Sequence, residues 1–113
     1  MSEHQSNQLL VDTPLLRVFG VTCTAPRSGY GAIEYNRVAQ IALPRRGVFV
    51  LEWRGEPVVV DTTTAVLLGA GDEYRVRHPT GGGDEGTILV VAPELLEEAT
   101  GGVVGRLGPS ASA

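Results

Sequence analysis

The chain has 113 residues, 42% of them hydrophobic and 19% charged, with a formal charge of −4 at pH 7 and a pI near 5.0. This length supports a single modest core and excludes a second domain, and the composition is that of a globular chain, not a disordered one. The acidic balance argues against a phosphate backbone as partner, and with arginine as the sole basic side chain besides histidine there is no lysine for Schiff-base chemistry.

Residues 1–14 open with the polar MSEHQSNQ, which lacks the apolar stretch of a signal peptide and reads as a flexible arm. LLRVFGVTCT, residues 15–24, is the first β-type run. It carries Cys23, the only cysteine, which excludes an internal disulfide and a zinc cluster built on cysteines. Cys23 reads as an inert packed thiol in a reducing, cytoplasmic setting. APRSGYG breaks the run, and residues 33–43 resume it. PRRG then reads as a turn, with Arg45 and Arg46 either solvated there or placed at the rim of an anion site.

VFVLEW, residues 48–53, is apolar on both faces until Glu52. Phe49, Leu51 and Trp53 are expected in the core with Val48 and Val50 also covered, so this strand is central or sits under a partner. RGEP closes a hairpin onto VVVD, AVLL follows, and GAGD turns into EYRVRH, residues 73–78. Its alternation points Tyr74, Val76 and His78 inward and leaves Arg75 and Arg77 to water. PTGGGDEG lacks the lysine and following helix of a phosphate-binding loop and reads as a flexible connection before TILVVA, residues 87–92. PELLEEAT, residues 93–100, is the single predicted helix, with Leu95, Leu96 and Ala99 on one face and Gly101 as its stop. Residues 105–113, GRLGPSASA, read as a disordered tail, and no apolar run approaches membrane-spanning length.

About eight short strands with frequent turns and one late helix predict an all-β fold, a small antiparallel barrel or sandwich. The stretch from Leu15 to Leu96 resembles the N-terminal, cupin-like sensor domain of AraC-type transcription regulators. The marks are Arg45-Arg46-Gly47 before a strand, Asp61 ending the next, Gly71-Asp72-x-Tyr74 at a turn, His78-Pro79, and Gly83-Asp84. The resemblance implies a cupin-like β-barrel or jelly roll over residues 15–104 that binds a small effector or dimerises. In that family a helical linker and a DNA-binding helix-turn-helix pair follow; nothing after the short helix here has the length, periodicity or charge of a recognition helix.

Many cupins hold iron, manganese or zinc through three histidines and a carboxylate. The expected positions of the first histidine pair, near Arg45 to Trp53, hold no histidine, and Tyr74 stands where a later one is due. A single core histidine cannot build that shell, so no metal and no cofactor is expected. His78 then reads as a strand-end residue hydrogen-bonded to backbone or to Asp84, or as a ligand contact, with catalysis short of a partner. Phe49, Trp53, Tyr74 and His78 are the residues nearest any pocket, and Arg45 and Arg46 the rim candidates. The expected function is a non-enzymatic effector-sensing or dimerising module, a homodimer or a heterodimer with related regulators, that binds neither DNA nor membrane. The alternatives are a metal-free cupin enzyme, needing Glu34, Glu52 or Asp84 beside His78, and a pure interaction module.

Overall fold

A computed structural model describes residues 4–100 and 109–111. Two antiparallel sheets form around one core, as the alternating short runs require. In chain order the elements are β1 (Gln5–Asp12), β2 (Leu16–Cys23), β3 (Glu34–Tyr35), β4 (Gln40–Arg46), β5 (Phe49–Trp53), β6 (Glu56–Val60), β7 (Thr64–Leu68), β8 (Glu73–Arg77), β9 (Asp84–Val91), α1 (Pro93–Thr100) and β10 (Pro109–Ala111). Six strands make one sheet in the order β1-β2-β9-β4-β7-β10, and four make the other in the order β3-β8-β5-β6.

The core lies between the sheets. Leu51, Val60, Val66 and Leu68 are buried, and Ala42, Phe49, Trp53, Val58, Tyr74 and Val76 pack against them. Strand β5 runs between β6 and β8, and Val50 is as buried as Leu51, in keeping with the apolar character of both faces of VFVLEW. The β5–β6 hairpin turns on Arg54 and Gly55, both at positive φ (54° and 77°), the backbone that a two-residue hairpin loop needs. Asp61 closes the next turn by accepting hydrogen bonds from the Thr63 amide (2.8 Å) and hydroxyl (2.6 Å).

Four expectations change. Residues 5–12, read as part of a flexible arm, form β1, which pairs with β2 from Gln5↔Cys23 to Asp12↔Arg17. Leu9, Leu10 and Val11 in it are exposed, so the strand rests on backbone pairing more than on burial. Within the segment read as a disordered tail, Pro109–Ala111 pairs with β7; the remainder of that segment, and Gly101, lie outside the described residues. The run 33–43 divides between sheets, β3 in the smaller and β4 in the larger. Asn36 holds the crossing: it is 2% exposed, and its Nδ2 donates to the carbonyls of Leu68 (3.1 Å) and Gly69 (2.8 Å). Finally, Arg45 and Arg46 end strand β4, so the turn falls after them at Gly47.

The helix buries Leu96 and half-buries Leu95, but leaves Ala99 exposed. No helix among the described residues is long and apolar enough to cross a membrane.

Candidate functional site

The site residues expected from sequence fall into three separate places. Phe49, Trp53 and Tyr74 belong to the packed middle. Tyr74 pairs with Trp53 on one side and Glu34 on the other, and burial, with Glu34 adding to it, pushes its hydroxyl up to about 12. All three pack against the buried core. Trp53 keeps one feature of a binding residue, a buried indole Nε1 with no hydrogen-bond partner. The open groove over the outside of this region, about 410 Å³, is lined by Glu52, Arg54, Asp72, Tyr74 and Arg75 among others. Four of its charges pair: Arg75 donates to both Glu52 oxygens (2.7 and 3.0 Å), which holds that carboxyl below its usual range, and Arg54 meets Asp72 at 3.4 Å.

Arg45 and Arg46, both exposed, hydrogen-bond to the chain itself. Arg45 donates to the Gly86 carbonyl (3.4 Å), and Arg46 to that of Gly82 (3.2 Å) while pairing with Glu85 (3.4 Å). Both therefore tie β4 to the glycine loop and the start of β9.

His78 lies at a different end, where Asp84, expected beside it, is joined by Cys23, which the sequence alone reads as a packed thiol. Cys23 is the last residue of β2 and Asp84 the first of β9, and the two are paired in register. Directly paired residues project from the same face of a sheet, so thiol and carboxylate come together. Gly83 aims this junction: its φ is +75°, and a Cβ there would stand 2.8 Å from the Cys23 carbonyl oxygen. Gly47 (φ +89°) seats the β4–β5 turn against the same spot, where a Cβ would meet the Asp84 Cβ at 2.8 Å. The third donor arrives from β8. His78 is fixed by a backbone bridge to Ser28, with Ser28 N–H donating to the His78 carbonyl (2.9 Å) and His78 N–H to that of Ser28 (3.2 Å).

One donor atom from each of Cys23, His78 and Asp84 lies within 4.8 Å of the other two. His78 Nδ1 stands 3.6 Å from Asp84 Oδ2. That is beyond the roughly 2.7–3.2 Å of a hydrogen bond from nitrogen, so the expected His78–Asp84 hydrogen bond is not made. Asp84 Oδ2 is buried and has no hydrogen-bond partner. Burial pushes the Asp84 carboxyl up, against the pull of His78 and Arg46. The donors commonly used by cupins, three histidines and a carboxylate, do not fit, because the sequence holds only His4 and His78. Cys23 and Asp84 nevertheless converge on the one core histidine.

Beside this trio opens a cleft of about 420 Å³ lined by Arg27, Ser28, Gly29, Arg77, His78 and Pro79. Among the described residues, neither Arg27 nor Arg77 pairs with a carboxylate, and Arg77 stands 5.8 Å from the Tyr30 ring centre. In an acidic chain this is a local concentration of positive charge.

No family model matches the chain, and no curated protein does. Solved structures do. The cupin domain of Schizosaccharomyces pombe Cnp3 superposes with a TM-score of 0.68 at 9% identity, covering 93% of this chain and 75% of that one. An RmlC-like cupin from Shewanella frigidimarina gives 0.66 at 15%, covering 85% and 84%. KdgF from Halomonas sp. gives 0.64 at 16%, covering 84% and 87%. The chain has the cupin jelly-roll fold. These likenesses carry the fold alone, and the narrower AraC-type assignment has no support among them.

Proposed function

We propose that the chain is a non-enzymatic small-molecule-binding module, and that it takes a small anion, a carboxylate or phosphate ester, in the cleft between Arg27, Arg77 and His78. The observation that carries this is the pair of arginines lining one cleft without carboxylate partners among the described residues. Arginine matches carboxylate and phosphate oxygens in a two-pronged geometry that few other side chains offer. The regulator reading extends the proposal: an effector-sensing cupin of the AraC type, working in the cytoplasm, pairing with a second copy or with related regulators and leaving DNA contact to them. The edge strand β1, with Leu9, Leu10 and Val11 exposed, supports pairing with a second copy.

The test is a thermal-shift screen of the chain against small carboxylates, phosphate esters and neutral sugars, since a ligand that binds only the folded state raises Tm. Anions that raise Tm in wild type but not in Arg77→Ala support the proposal. A response confined to neutral compounds overturns it. One observation favours a second reading, a cupin enzyme: Asp84 is the titratable partner that such an enzyme needs beside His78, and it stands 3.6 Å away. Conversion of a bound anion to product, followed by NMR and lost in Asp84→Asn, decides for that reading.

A further inference from the structure

We infer that Cys23, His78 and Asp84 form a divalent metal site of the zinc type, with one sulfur, one nitrogen and one oxygen donor. Donors bound at 2.0–2.3 Å in a tetrahedral shell lie about 3.3–3.8 Å from one another. The 3.6 Å between His78 Nδ1 and Asp84 Oδ2 is too long for a hydrogen bond and suited to two ligands of one ion. The Cys23 sulfur lies within 4.8 Å of both.

Satisfaction of polar groups points the same way. Asp84 Oδ2 is buried without a partner, and a buried carboxylate oxygen left alone is costly. His78 at 3.6 Å and Arg46 pull on it without bonding to it, since the Arg46 hydrogen bond goes to Gly82 and its ion pair to Glu85. A metal ion would supply the missing bond. Thiolate and carboxylate together balance a divalent cation, with the imidazole neutral. The mixed donor set excludes magnesium and calcium, which take oxygen ligands, and suits zinc or a similar first-row ion.

The frame is also fixed before any ion arrives. Cys23 and Asp84 are locked in register by β2–β9 pairing, Gly83 allows the close approach between them, and the Ser28 bridge sets His78. None of the donors lies on β4 or β5, where the histidine pair of the common cupin set is due. Three protein ligands leave a fourth position open, the arrangement of sites that bind water or substrate. The inference does not rest on the anion cleft, and its test contains no anionic ligand.

The experiment is a titration of the tag-free, chelator-stripped chain with Co2+ under a phosphine reductant, followed by X-ray absorption on the Zn2+-loaded wild type. One Co2+ per chain is expected, with a near-ultraviolet thiolate-to-cobalt band that Cys23→Ser abolishes. His78→Ala and Asp84→Asn should each weaken binding by about a hundredfold or more, beyond the 10–100-fold typical of lost outer-shell partners. The zinc spectrum should show one sulfur neighbour at about 2.3 Å, a readout that needs no variant to fold. No cobalt band in wild type, no sulfur neighbour on zinc, or undiminished binding by Cys23→Ser overturns the inference.

Discussion

The middle of the sandwich and its His78 end are built from the same two sheets but bury different chemistry. In the middle, Leu51, Val60, Val66 and Leu68 meet Phe49, Trp53, Tyr74 and Val76, and the charges above them, Glu52 with Arg75 and Arg54 with Asp72, are paired. At the other end a thiol, an imidazole and a carboxylate converge with no hydrogen bond among them, and two arginines face a cleft without carboxylates. The first region is arranged for stability, and the second is where the proposed ligand would sit, among strand termini and loops.

The largest expected effect comes from opening the middle. Leu51→Ala, at a residue 3% exposed, should cost about 2–5 kcal/mol in denaturant unfolding. If the division between the regions is right, His78→Ala in the metal-free chain costs well under half of that. A value as large as that for Leu51→Ala would make His78 a structural residue.

Next is the junction that aims the site. Gly83→Ala forces a side chain into left-handed backbone 2.8 Å from the Cys23 carbonyl and should destabilise by more than about 1 kcal/mol in the same measurement. Gly82→Ala, where a Cβ meets nothing within 4 Å, should be close to neutral.

A third effect is alkaline. With Tyr74 pushed up to about 12 by burial, both states keep its proton below pH 10, and between 10 and about 12 only the unfolded chain loses it. Stability should therefore fall across that window, and fall less in Tyr74→Phe. An identical slope in the two proteins would place the Tyr74 hydroxyl in water and open the middle to solvent. The smallest effect belongs to the Glu52–Arg75 pair. Its carboxyl is held below 4.5, so its contribution is present above that value and fades as pH falls through the lowered one. Glu52→Gln should flatten that acid slope slightly.

The middle was the legible region. The two-residue alternation of EYRVRH sets Tyr74 and Val76 on the core, and the doubly apolar VFVLEW marks the central strand, because burial writes a periodic pattern into a strand. The edges were less legible: MSEHQSNQ has no such pattern, and β1 is held by backbone pairing that leaves no side-chain signature. The trio was legible in part. Asp84 was expected beside His78, whereas Cys23 joins them through the register of β2 on β9, a long-range pairing that no local spacing encodes. The lone cysteine and the glycine before Asp84 were the available signals, and each has a plain packing explanation when read alone.

The most direct measurement of the central claim, that ligand recognition sits at the His78 end, is the ligand-induced rise in Tm compared across wild type, Arg77→Ala and Trp53→Phe, using the anion that shifts wild type most. The account expects Arg77→Ala to lose the rise and Trp53→Phe to keep it. The opposite pattern, with Trp53→Phe silent and Arg77→Ala responding, would move the binding site into the packed middle and contradict the account.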